Sequence, residues 1–198
     1  MEKIVEASLK KAATTLKESY EQFLKQENTY SITLNSSYFH QDYCKIRNIT
    51  TCEEHNEVFE KLKAIRKPVL YWFEIGTSDY SVQDIRKEYI TYRNNMKEKG
   101  GTDTSYRNTA AYKENISPQS TTLYVGKVQI YFWGRLVTHL GYTNNKHTAG
   151  MQLFHWYNPN EFGDITLRYI VFDDNMKYLI TALEKELALA LRPLIGRY

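Results

Sequence analysis

Two short apolar runs, far apart in the chain, set the terms for any fold. Residues 68–76 read PVLYWFEIG, and six of these nine are large and apolar or aromatic, the pattern of a buried strand. Residues 121–128 read TTLYVGKV, a second strand. Between them SDYSVQDIRKEYITYRNNMKEKGG has the period of a long helix with a glycine stop, and TDTSYRNTAAYKENISPQS is a polar loop. After the second strand, FWGRLVTHLG predicts a short helix closed by Gly141. MQLFHWY and DITLRYIVF predict two more strands, the latter alternating well. NMKYLITALEKELALALRP is the strongest helix, with Ile180, Leu183, Leu187 and Leu191 on one stripe.

Upstream, residues 3–27 predict one amphipathic helix, with Val5, Leu9, Ala12, Leu16, Tyr20 and Phe23 at three- and four-residue spacing. Residues 29–50 predict a strand and a loop. A helix then follows from Thr51, whose spacing to Glu54 suits a capping box, and stops before Pro68. The fold class is α+β, a small sheet packed with helices.

The length of 198 residues suits one domain with an appended helical piece, and 42% apolar content is enough for a core. No run of 18 apolar residues is present, so no membrane helix is expected, and the charged N-terminal stretch lacks the apolar region of a signal peptide. Cys44 and Cys52 form no disulfide framework or metal-like spacing, which points to a reducing cytoplasm. The net charge is +3, but residues 77–150 hold ten Lys/Arg and six Asp/Glu, a balance of +4, together with eight of the seventeen tyrosines. Positive charge with interleaved aromatics suits a nucleic-acid surface, although a mildly basic solvated face has the same composition.

On a helical wheel Leu136, Val137 and Leu140 cluster, while Arg135 and His139, four apart, share the other side. Glu184 lies at the edge of the Ile180/Leu187/Leu191 stripe, where a half-buried carboxylate would have its desolvation offset by a divalent cation. The same residues also suit a solvated helix face and a surface ion pair. Phosphodiester hydrolysis needs an oxygen nucleophile, a proton acceptor, a cation for the phosphate and stabilisation of the leaving oxygen. Tyrosine, histidine, arginine, lysine and one carboxylate with a metal fill those roles.

In these elements the chain resembles the GIY-YIG nuclease superfamily, over about residues 67–198. Val69-Leu70-Tyr71 stands at the Gly-Ile-Tyr position and Tyr124-Val125-Gly126 at the Tyr-Ile-Gly position. Arg135 follows Tyr124 by eleven residues, His139 stands four further on, and Glu184 stands nine before Pro193, as the family pattern places them. Gly196 stands where the family carries an asparagine, and Tyr71 and Tyr124 are fifty-three residues apart, which implies an insertion in the first hairpin.

The resemblance implies a GIY-YIG-like domain over 67–198 with a helical insertion at 77–120, preceded by an N-terminal helical extension over 1–66. It implies an endonuclease acting on DNA, of restriction or other anti-invader type, with RNA left open. Glu184 would ligate Mg²⁺ or Mn²⁺. Tyr71 would be the general base, with His139 as a neighbour able to take its proton. Tyr124 would orient the water or phosphate, Arg135 would bind the phosphate, and Lys127 would be a second cation. Arg86, Lys87, Arg93 and Arg107 of the insertion are the candidate nucleic-acid contacts. A binding module without catalysis, on the same scaffold, is the alternative. Self-association through the N-terminal helix, giving a homodimer, is a third reading. His147 and His155 receive no role.

Overall fold

The computed structural model describes residues 2–24, 29–76, 81–114, 117, 119–143 and 147–197, without the side chains of residues 19, 22 and 23. The predicted helix start at 78–80 and the Phe23 side chain therefore lie outside the described residues. The chain runs α1 (Glu2–Leu24), β1 (Thr29–Leu34), α2 (Asn56–Ala64), β2 (Val69–Ile75), α3 (Val82–Lys99), β3 (Thr122–Val128), α4 (Phe132–Leu140), α5 (Pro159–Phe162), β4 (Ile165–Val171) and α6 (Ile180–Leu191). Four antiparallel strands form one sheet in the order β1-β4-β2-β3. The class is α+β, a small antiparallel sheet packed with helices.

Strand β2 lies between two neighbours and is covered on both faces, which is why its sequence is nearly continuous in apolar residues. Val69, Tyr71 and Phe73 face the main core, with Leu123, Leu167 and the α4 residues Phe132, Leu136 and Leu140. Leu70 and Trp72 face the other way, against Val125, Ile170 and the α6 residues Ile180, Leu183, Leu187 and Leu191. β3 is antiparallel to β2, with Tyr71 opposite Gly126 and Phe73 opposite Tyr124. Everything between the two strands, including α3, is therefore an insertion in a hairpin. α3 begins with Ser81 and Asp84 in a reciprocal capping box and buries Ile85, Tyr89 and Met96.

Three local expectations change. Thr51 does not cap a helix. Its hydroxyl donates to the Asn48 carbonyl, residues 51–55 are turns, and α2 starts after His55. MQLFHWY is not a strand, because Gln152 adopts φ +59° and the chain folds into a 3-10 turn at Leu153–His155. A short 3-10 turn at Asp174–Met176 precedes the last helix, which begins at Ile180.

Leu34, Tyr38, Tyr43, Ile49, Phe59 and Leu62 all join the main core, so residues 29–66 are built into the sheet's body. α1 differs: Ile4, Leu9 and Leu24 on it are 72%, 66% and 62% exposed. Among the described residues no helix is long and apolar enough to cross a membrane.

This contrast predicts unequal costs for the same substitution. Leu123→Ala, at a fully buried site, should lower the free energy of urea unfolding by about 2–5 kcal/mol. Leu9→Ala should stay within about 0.5 kcal/mol at low protein concentration.

Candidate active site

β3 is one of the two edge strands of the sheet, and its outer edge carries the candidate site. An exposed edge presents unpaired backbone groups that a fold must satisfy or cover. Here the C-terminal segment covers the first half: Leu194 and Ile195 donate to the carbonyls of Thr122 and Leu123 at 3.0 and 2.9 Å. Further along, the Glu184 carboxylate lies close to Lys127, whose charge and backbone N–H both favour its ionised form. Between these two contacts the edge opens onto a cleft of about 660 Å³, lined by Tyr124, Val125, Arg135, Glu184 and Ala188. Its far wall comes from Arg93 of α3, the strap 108–111, residues 147–149 and the tail residues Pro193, Gly196 and Arg197.

Tyr71 lies directly beneath the cleft and is 0% exposed. Its hydroxyl oxygen is 3.0 Å from Nε2 of His139 and accepts from Nε of Arg135 at 3.4 Å. The Met151 backbone N–H donates to His139 Nδ1 at 3.3 Å. A backbone donor cannot turn away, so the neutral ring carries its proton on Nε2, facing Tyr71. Arg135 Nη2 lies 3.2 Å from that nitrogen, but a guanidinium has other N–H groups to use, and Nη1 donates to the Ala149 carbonyl at 3.3 Å. Gly126 makes the arrangement possible. A Cβ there would stand 2.6 Å from both Tyr71 Oη and Tyr124 Cε1.

Burial and charge tune these groups. Burial, reinforced by the Arg135 guanidinium, holds His139 well below the ordinary histidine range, so it stays neutral. Burial pushes Tyr71 and Tyr124 above the ordinary phenol value, while Arg135 opposes the shift at both, and Arg197 also opposes it at Tyr124. Burial likewise raises Glu184, against the pull of Lys127 and Arg135.

Tyr124, Arg135 and Glu184 thus share the cleft lining, and Tyr71 and His139 form the layer under it. Two expected roles change. Tyr71 has no exposed surface and does not line the cleft, so it is placed to hold Arg135 rather than to meet a water. His139 is fully buried, neutral and turned to Tyr71 as a donor, so it is poorly placed to take that proton. The wheel put Arg135 and His139 opposite the apolar cluster. Both instead face inward, because the sheet edge covers that side too.

The basic residues of the insertion separate. Arg93 lines the cleft. Arg86 donates to the carbonyls of Lys113 and Glu114, and Arg107 to that of Thr143, so both tie the chain to itself. Lys87 borders a separate depression with Asp84, Glu88 and Glu161, away from the cleft. Lys127 stands beside Glu184. His155 is a packing residue: it stacks on Tyr92, bonds to the Gly141 carbonyl, and burial lowers its pKa to about 4. His147, Asn108 and Arg197 line the cleft without having carried a motif signal.

Among the described residues, Glu184 is the sole carboxylate lining the cleft, and no group of three His, Cys, Asp or Glu could hold a metal. Such a donor set does not make a protein cage. It fits Mg²⁺ or Mn²⁺, which is commonly held by one or two carboxylates, with water and substrate phosphate as the other ligands. Compared with known family models, curated proteins and solved structures, the chain matches none.

Gly126→Ala should cost about 1–3 kcal/mol in urea unfolding, because strand atoms and two rings must shift. In the Tyr71→Phe background the same change should cost less, since one of the obstructing atoms is gone, and a double-mutant cycle reads the coupling.

Proposed function

We propose that the protein is a divalent-metal-dependent endonuclease of the GIY-YIG kind, hydrolysing phosphodiester bonds in DNA. The observation that carries this reading is the convergence of Tyr124, Arg135 and Glu184, from one strand and two helices, on a single edge cleft. Spacing along the chain suggested the set, and the fold brings its members to one place. The arrangement matches the needs of the reaction. Arg135, braced by Tyr71 and Ala149, offers charge-assisted hydrogen bonds to a phosphate and to the charge that builds on it. Tyr124, the phenol that reaches the cleft, orients the attacking water, and its phenolate form is the acceptor for the water's proton. Glu184 would hold the metal through its carboxylate, which lies beside Lys127. The bound metal would supply charge neutralisation at the phosphate and the leaving oxygen.

A second reading, nucleic-acid binding without cleavage, is favoured by Gly196. This residue lines the cleft at φ +138°, with nothing within 4 Å of where a side chain would begin, and brings no amide to the site.

Supercoiled plasmid incubated with Mg²⁺ or Mn²⁺ should be nicked or linearised, and EDTA should stop it. Glu184→Gln keeps the size and shape of the side chain but loses the charge, so cleavage should fall at least about a hundredfold with folding unchanged. Wild-type cleavage by this variant would sink the assignment. Binding without cleavage by the folded wild type would favour the second reading.

The pH profile follows from the two groups. Metal binding needs Glu184 ionised, and burial favours its protonated form in the metal-free protein, so the Mg²⁺ concentration giving half-maximal cleavage should rise on acidification. Tyr124 must be deprotonated to act as base, and burial raises it too. The rate should therefore climb on the order of tenfold per pH unit above neutrality, and Tyr124→Phe should flatten that limb.

A further inference from the structure

We infer that Arg93 and Arg197 form a second phosphate subsite beside Arg135 and Glu184, so that the cleft grips more than one phosphate of a nucleic-acid strand. This rests on the reading of the cleft as a phosphodiester site. The two arginines are over a hundred residues apart in the chain, yet adjacent carbonyls of one strap place them. Arg93 donates through Nε to the Ala110 carbonyl at 2.9 Å. The Gly196 N–H, immediately before Arg197, donates to the Ala111 carbonyl at 2.8 Å. Each anchor is itself held. The strap is tied to residue 150, with Ala110 N donating to the Gly150 carbonyl at 2.9 Å and Gly150 N to the Asn108 carbonyl at 3.1 Å. The tail is buried at Leu194 and Ile195 and hydrogen-bonded to β3.

The chemistry of this wall suits an anion. Arg93 uses its Nε edge on the strap and lies against the Tyr112 ring at 5.7 Å, which leaves its terminal amino groups toward the cleft it lines. Arg197 is exposed, and its charge is felt at the Tyr124 hydroxyl, so it stands within electrostatic reach of the reaction centre. With Arg135, three guanidiniums from three separate elements border a cleft whose described lining holds one carboxylate. A planar guanidinium held at one edge presents the fork that binds phosphate oxygens in pairs. The strap between the arginines is neutral, Asn108 to Ala111, so it neither competes for these cations nor repels a phosphate.

The test is binding of a fluorescent oligonucleotide to the full chain by anisotropy in EDTA, across a salt series, with DNA and RNA probes in parallel arms. Each of Arg93→Ala and Arg197→Ala should weaken binding and make the log–log salt slope shallower by about 0.7–0.9, and the double variant by about twice that. The cleavage rate at saturating DNA should collapse in Arg135→Ala. Arg197 is exposed near the chain end, so its variant keeps the test sound even if Arg93→Ala, which loses the Ala110 bond, unfolds. Wild-type affinity and slope in Arg197→Ala, or weaker binding with an unchanged slope, would overturn the subsite, as would a wild type that binds neither probe. A wild type that binds with the expected arginine dependence but never cuts would leave the subsite standing and defeat only the catalytic reading.

Discussion

The packing of Tyr71 against Gly126 is the contact on which the rest of the site depends. A tyrosine in an inner strand has room for its ring only because the residue opposite, on the edge strand, has no side chain. Its hydroxyl then sits between Arg135 and His139 and links the sheet to α4. Without that oxygen a half-buried guanidinium would lack the partner that aims it, and a long flexible side chain at a cleft edge has many other rotamers. Residue 126 thus sets the direction of a charge nine residues later through a phenol on another strand.

The second constraint is the open edge of β3. Unpaired strand edges invite association with other chains, and proteins cover them. This one is covered in two ways, by backbone bonds from the tail and by the carboxylate of Glu184. The cleft is what lies between. The same carboxylate therefore lies over the sheet edge beside Lys127 and, in the proposed reading, would hold the cation. An edge strand flanked by helices on either face is a natural place to gather side chains from separate elements, because each face contributes one helix and the edge contributes the backbone between them.

The insertion in the hairpin divides into two segments with different surroundings. α3 packs into the core through Ile85 and Tyr89, while the strap after it forms the cleft wall. Its basic residues could not be sorted from the sequence, since Arg86, Arg93 and Arg107 look alike there. What separates them is which carbonyls lie within reach. Arg86 binds two backbone carbonyls through Nη2 and Arg107 one through Nη1, both outside the cleft lining, whereas Arg93 binds one through Nε and lines the cleft.

Period and spacing were enough to read the main elements: the buried strand at 69–75, its partner at 122–128, the short helix ended by Gly141 and the last helix with its apolar stripe. These are decided by local pattern, since apolar periodicity and a left-handed glycine act within a few residues. Spacing also singled out Tyr124, Arg135 and Glu184. Depth was not legible. Tyr71 and Tyr124 stand in similar strand contexts, yet one is sealed and the other lines the cleft, because only the tertiary structure decides which phenol lies under the edge strand. The helical wheel could not show that the polar side of α4 is covered as well. Nor could the sequence bring Arg93 and Arg197 to neighbouring carbonyls, since that contact spans most of the chain and exists only once the tail has paired with β3. Local chemistry determined the elements and the candidate residues on them, and long-range packing decided exposure, direction and charge state, which no local window contains.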